Sequence, residues 1–205
     1  MKTLLPLLAA CAAVAPVATF ADENRGWYVG TSIGISTSDF STSDARSVLG
    51  YTSVTVDNTD FGGRVFGGFR FNPSVAAEFG VVDLGYTKIS GSVGGSPAAD
   101  ELDAGGIYGA IVGTLPIEAG ISLLGKLGVG LISGVYTCKQ FCPFANYSTD
   151  SVTAVPFVGV GMQFDFDRRF AARIEYEHFG KVEFDSNGAL NATYNLVTGG
   201  FLFKF

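Results

Sequence analysis

From residue 26 to the C-terminus, apolar and polar positions alternate with a period of two, in segments broken by Gly, Pro, Asn and Asp. That period marks strands with one apolar face. Eight are predicted. The first, 26–37, puts Trp27, Val29, Ile33 and Ile35 on one face and Gly30, Ser32, Gly34 and Ser36 on the other. The second, 60–71, sets Val65, Phe69 and Phe71 opposite Arg64, Phe66 and Arg70. The third, 74–86, sets Val75, Ala77, Phe79 and Val81 opposite Ala76, Glu78 and Gly80. Glycines blur the faces of the fourth, 105–115. The fifth, 121–136, opposes Leu123, Leu127, Val129 and Leu131 to Lys126, Gly128 and Gly130. The sixth, 152–166, opposes Val158, Val160, Met162, Phe164 and Phe166 to Gly159, Gly161 and Gln163. The seventh, 170–179, opposes Ala172, Ile174 and Tyr176 to Arg173, Glu175 and Glu177. The eighth is 192–205. No helix-period segment of useful length is found after the leader.

The connections alternate in kind. Asn72-Pro73, Pro116-Ile-Glu-Ala-Gly120 and Asp167-Arg168 are tight turns, whereas 38–59, 87–104, 137–151 and 180–191 are long and polar. Short turns on one rim and long loops on the other are the habit of transmembrane barrels. Small and charged residues share one face, aliphatic and aromatic residues the other. A soluble sandwich would show the same split, so the ends of the chain decide.

Residues 1–21 read as a secretory signal peptide: basic Lys2, an apolar run from Leu4 to Ala18, and small residues before Asp22. The run is too short to span a membrane as a helix, which takes roughly 20 apolar residues. Leu8-Ala9-Ala10-Cys11 resembles a lipobox, but the apolar run continues past Cys11, so cleavage after Ala21 is the reading adopted. That leaves 22–205 as one barrel domain. Loss of Lys2 takes the formal charge from −6 to −7, which disfavours nucleic acid as a partner. At the other end, Phe201, Phe203 and Phe205 alternate up to the last residue. Exposed to water, such a row would invite edge pairing and aggregation; facing lipid in a closed barrel, it does not. An exported, apolar, glycine-rich chain with this end points to an all-β, eight-stranded, antiparallel, up-and-down transmembrane barrel. Of the cysteines beyond the leader, Cys138 and Cys142 are expected to form a disulfide in an exported chain. A metal site would want more thiols or histidines, and His178 is the sole histidine.

The last residues resemble the C-terminal assembly signal of bacterial outer-membrane barrels, with Thr198, Gly200, Phe201, Phe203 and Phe205 in its places. Further stretches resemble the OmpA-like transmembrane barrel family. They are Gly63-Arg-Val-Phe-Gly-Gly-Phe-Arg-Phe-Asn-Pro73, Ala77-Glu-Phe-Gly-Val-Val-Asp-Leu-Gly85, Gly113-Thr-Leu-Pro116, Gly125-Lys-Leu-Gly128, Pro156-Phe-Val-Gly-Val-Gly161 and Ala171-Ala-Arg-Ile-Glu-Tyr176. The resemblance implies a bacterial outer-membrane location, contact with lipid and lipopolysaccharide, and delivery by the barrel assembly machinery. Larger members carry a peptidoglycan-binding domain after the barrel; here the expectation is a barrel without it, and a monomer.

Three features could carry function. Arg64, Glu78, Lys126, Gln163, Arg173 and Glu175 face inward a few residues above the tight turns. At ~3.3 Å per residue and a tilt of about 45° that is near mid-height. Unpaired charges are costly in so narrow a space, so these should pair. Family barrels have a similar internal cluster proposed to plug the lumen, although Gln163 stands where that pattern would carry an acid. The long loops are acidic, with Asp39, Asp44, Asp57, Asp60, Asp100, Glu101, Asp103, Asp150, Glu183 and Asp185 against Arg46, Lys88, Lys139 and Lys181. They could hold divalent cations or meet a host or surface ligand. Finally, some small barrels are lipid-modifying enzymes using His, Ser and an acid. His178 falls outward near the outer rim with no Ser following closely, so no catalytic residues and no cofactor are expected. The expected role is structural or surface-interacting with a plugged lumen; the alternative is a small porin-like channel of low conductance.

Overall fold

The computed structural model describes residues 25–118, 120–140, 148–185 and 190–205. The proposed signal peptide, Cys11 and Cys142 lie outside the described residues. The elements are β1 (Gly26–Ser38), α1 (Thr42–Leu49), β2 (Ser53–Asp57), β3 (Thr59–Asn72), β4 (Val75–Val93), β5 (Ser96–Glu118), β6 (Ile121–Gln140), β7 (Ser148–Asp165), β8 (Phe170–Glu183) and β9 (Asn191–Lys204).

Every strand of the ring pairs antiparallel with its neighbours, in the order β1, β3, β4, β5, β6, β7, β8, β9 and back to β1. The seam between β1 and β9 runs from Tyr28 opposite Lys204 to Ser38 opposite Tyr194, and the Phe205 N–H donates to the Trp27 carbonyl at 3.0 Å. The ring therefore has eight strands; β2 is a short extra strand on the upper part of β4.

The faces are inverted relative to a soluble barrel. Phe61 is 73% exposed and Phe201 66%, while Lys126 and Arg173 are buried. An apolar outer band of this size is stable against lipid and not against water.

Two expectations need correction. The segment 38–59 is not all loop. Ser41 caps α1: its hydroxyl accepts from the Asp44 N–H, and the Asp44 carboxylate accepts from the Ser41 N–H. This capping box satisfies two otherwise unpaired donors and lets an eight-residue helix persist. The segment 87–104 is also not a loop. It continues β4 and β5 into a hairpin closed by Gly94 and Gly95, both with positive φ, as a two-residue turn of that hand requires. The 23 residues of β5, at ~3.3 Å each and a tilt near 45°, rise about 54 Å, roughly twice the ~25 Å apolar band. The strands β4 to β7 thus stand well clear of the membrane as a wall.

That wall encloses its own apolar core. Phe40, Ala45, Ile89, Leu102, Phe184 and Tyr194 are all buried there, above the charged level described below. The helix α1 contributes Ala45 to it and packs beside β2.

The seam admits no bulk at Gly34, where an added Cβ would come within 1.8 Å of the Val197 carbonyl oxygen across the β1–β9 junction. We expect Gly34→Ala to cut the yield of folded, heat-modifiable barrel severalfold. Gly125→Ala, whose Cβ meets nothing within 4 Å, should leave it at the wild-type level. Equal yields from the two variants would mean that the β1–β9 junction is not packed this way.

Candidate functional site

Inward positions on five strands bring charged and amide side chains to one level. Arg64 comes from β3, Glu78 from β4, Lys126 from β6, Gln163 from β7, and Arg173, Glu175 and Glu177 from β8; Tyr28 and Tyr108 reach in from β1 and β5. The period-two pleat aims each of them inward, because its neighbours on either side face out.

Lys126 Nζ lies 2.7 Å from Glu78 Oε1, 2.9 Å from Glu175 Oε1 and 3.1 Å from Glu177 Oε1. Arg64 pairs with both Glu175 and Glu177, and its Nε donates to Ser32 Oγ at 3.1 Å. Arg173 Nη1 is 2.8 Å from Glu78 Oε2. Glu78 is the hub, since it also accepts from Tyr108 at 2.9 Å and from Tyr28 at 3.2 Å. The three cations also surround the Phe66 ring, with Arg64 and Arg173 each 5.4 Å and Lys126 6.0 Å from its centre. Three cations against three carboxylates leave the level formally neutral, which is the condition for burying it.

The six charged or amide residues singled out by sequence all lie in this cluster. Gln163 takes a bridging role: it accepts from Arg173 at 3.1 Å and donates to Asp165 at 2.7 Å. Asp165 in turn pairs with Lys204 at 2.7 Å, so the network reaches the short-turn rim. Sequence reasoning missed Glu177, Tyr28, Tyr108 and Phe66. The alternation already put Glu177 on the face of Glu175. Tyr28 sits between Trp27 and Val29, which both face out. Tyr108 lay on the strand whose faces the glycines obscured.

The cluster sits between two apolar layers. Toward the short turns are Ala76, Val112, Leu124, Ala171 and Leu202, all buried. Toward the long connections Phe157 stacks on Phe179 with centroids 4.7 Å apart, and Tyr108 meets Phe157 edge-on.

Most loop acids have structural partners. Asp39 accepts from the Thr193 N–H at 2.7 Å, Asp44 caps α1, and Asp60 accepts from the Tyr86 N–H at 3.0 Å. Glu101 pairs with Lys139 at 3.3 Å. Asp100, inside the wall above the apolar band, accepts from the Tyr51 hydroxyl at 2.9 Å. Burial pushes both groups up from their ordinary values, so the pair stays a neutral phenol donating to a carboxyl. His178 faces outward on β8, where its Nδ1 lies 2.8 Å from Asn195 Oδ1.

Residues 7–205 match the family described as outer membrane protein beta-barrel domain. The chain belongs to that family. Among curated proteins it is similar to outer membrane protein P5 of Haemophilus influenzae, 27% identical over 198 residues that make up 88% of this chain and 52% of that protein. The chain thus spans about half the length of the curated relative it matches. Among solved structures it resembles Neisserial surface protein A at a TM-score of 0.56 and 14% identity, over 88% of this chain and 97% of that one. It is an OmpA-like barrel of the bacterial outer membrane. In this family of barrels the short turns face the periplasm and the long connections face outward, so the apolar wall and α1 stand on the cell surface.

The geometry of the family barrel makes one residue decisive for the balance of charge. Lys126→Met would leave three buried carboxylates facing two arginines. We expect a loss of about 3–5 kcal/mol, the usual consequence of removing one partner from a buried ionic network, measured by denaturant unfolding in lipid vesicles. Lys126→Arg should recover much of it. Wild-type stability in Lys126→Met would show that the acids are not held by this cation.

Proposed function

We propose that this protein is a closed outer-membrane barrel of structural or surface-interaction type, and that it acts through the wall and cap standing above the membrane. The observation that carries this reading is the filling of the lumen at three heights: small apolar residues, then the neutral ionic network, then the stacked Phe157 and Phe179. An eight-stranded barrel is just wide enough for its own side chains, and the described inward side chains occupy each of these three heights. The apolar level weighs against the alternative of a low-conductance pore, because rearranged salt bridges alone would not hydrate it. The C-terminal Thr198, Gly200, Phe201, Phe203 and Phe205 serve as the segment read during assembly, after which Phe205 closes the ring against Trp27. The protein works as a monomer, with any host or surface ligand meeting the outer wall. Cys138 and Cys142 pair in a five-residue loop, which adds only about 2 kcal/mol and shapes the β6–β7 connection more than the barrel.

A lipid-modifying enzyme fits less well. The cross-strand partners of His178 are Val158 and Asn195. A histidine general base needs a nucleophile within hydrogen-bond reach, and neither neighbour supplies one.

Planar bilayer recordings test the closed lumen. The wild type should show no steady conductance, and Lys126→Ala should stay nearly silent because the apolar level remains. Adding Phe157→Ala and Phe179→Ala to Lys126→Ala should open a measurable leak. A large, steady wild-type conductance would refute the proposal.

A further inference from the structure

Above the membrane the ring is no longer closed. The pairing of β7 with β8 ends at Phe157 opposite Phe179, while β7 continues upward to Ser148 on β6 alone. Pro156 accounts for the break. The Asp165 N–H donates to the Gly120 carbonyl at the start of β6, and the β6–β7 register runs without a shift. Odd-numbered residues of β7 therefore bond β6, and even-numbered ones face β8. Position 156 is one that would donate to β8, and proline has no N–H to give. From there β8 turns inward. The Glu183 N–H bonds Thr153 Oγ1 at 3.3 Å, and an added Cβ on Gly134 of β6 would strike the Glu183 carbonyl.

This leaves an open strand edge. Asp150, Val152 and Ala154 aim their backbone N–H and C=O groups away from β6, and no described residue bonds them. Val152 lies 14 residues above Phe166 at the short turn. At ~3.3 Å per residue and a tilt near 45° that is about 33 Å, clear of the ~25 Å apolar band. The edge stands in water. Proteins usually blunt such an edge with Lys, Pro, a bulge or a covering element. The opposite margin of the wall is covered, since α1 packs beside β2. The segment 148–155, Ser-Thr-Asp-Ser-Val-Thr-Ala-Val, has no Lys, Pro or bulge and is rich in strand-forming Thr and Val.

The side chains complete the surface. Asp150, Val152 and Ala154 face out and are exposed, Val152 by 66%. Leu131, across from Ala154 on β6, extends this apolar strip. Acid predominates. Asp150 and Glu183 lie at the edge, Lys181 stands where β8 departs, and the long connections together carry ten acids against four bases.

We propose that this edge captures an extended segment of a partner protein by strand addition. The segment joins β7 as a further strand, its backbone bonding Asp150, Val152 and Ala154. Its outward side chains alternate between a cation, set opposite Asp150, and an aliphatic residue, set opposite Val152. Its inward side chains are small and polar, against Ser151 and Thr153. A second copy in the same membrane does not fit. Two barrels sharing a membrane are related by rotation about its normal, so their tilted β7 strands would cross rather than lie alongside. The proposal rests on the reading of the wall as a surface for partners and not on the closed lumen.

The test is titration of the full barrel in lipid nanodiscs with a synthetic peptide, Thr-Lys-Thr-Val-Thr-Lys-Thr-Val, read by amide hydrogen exchange in NMR spectra. In the free protein the amides of Asp150, Val152 and Ala154 should exchange fast and those of Ser151 and Thr153 slowly. The peptide should slow the first set and leave the second unchanged. Val152→Pro removes an N–H that β6 does not use, so the barrel should fold, as judged by heat-modifiable gel mobility. Its binding should fall about tenfold, the upper effect of one net hydrogen bond. Ala154→Pro serves if that variant folds poorly, and Val152→Thr, which keeps the N–H, should bind nearly as the wild type does. Replacing both lysines of the peptide by glutamate should weaken binding about fivefold at low salt. Slow exchange at Val152 and Ala154 in the free protein would mean that the edge is already covered and would overturn the proposal. So would a saturating peptide that protects neither amide, or unchanged binding in Val152→Pro. A conducting wild-type barrel would refute the closed lumen alone and leave the binding result standing.

Discussion

A backbone inside hydrocarbon has no water to bond, and each unpaired N–H or C=O there is costly. For strands the only remedy is a ring without edges. Here the remedy depends on the β1–β9 junction, where Gly34 lets the backbones approach and Phe205 bonds back to Trp27. Once the ring is closed, the alternation of side chains follows. One set must meet lipid and the other must fill a narrow lumen.

Filling that lumen sets the second constraint. The inward residues carry charge at mid-height, and a charge in that space is tolerable only if neutralised and hydrogen-bonded. The protein neutralises it with three cations against three carboxylates, two tyrosine hydroxyls donating to Glu78 and the ring of Phe66 between the cations, while Glu177 Oε2 and Arg173 Nε find no hydrogen-bond partner among the described residues. Above this level the same inward positions turn aromatic and aliphatic. The change coincides with the rise of β4 to β7 out of the membrane, where the wall must hold itself together against water on both sides. Apolar burial under α1, Phe40 and Phe184 does so. The outer end thus behaves as a small water-soluble core set on a membrane barrel.

The lipid face was legible in the sequence because a strand reports its two faces residue by residue. So were the inward charges: Lys126 between Gly125 and Leu127, or Arg173 between Ala172 and Ile174, can point only one way once the apolar face is known to be outside. Their partners were less legible. That Lys126 meets Glu177 as well as Glu175 depends on how far the strands are staggered around the ring, a non-local quantity. The upper wall was misread for a local reason. Polar residues at 87–104 looked like loop, although Gly94-Gly95 between alternating segments is a strong hairpin signal. The helix α1 was missed because two turns are too few to show a period, and only Ser41 and Asp44 announced it.

The central claim is that alternate residues of a single strand face lipid and a water-free interior. Site-directed spin labels along β8, from 172 to 179, test it directly by collision with oxygen and with a water-soluble nickel chelate. The expected result is oxygen contact at 172, 174 and 176, and contact with neither reagent at 173, 175, 177 and 179. Strong collision with the nickel chelate at 175 and 177 would mean that water fills the lumen, and would contradict the account.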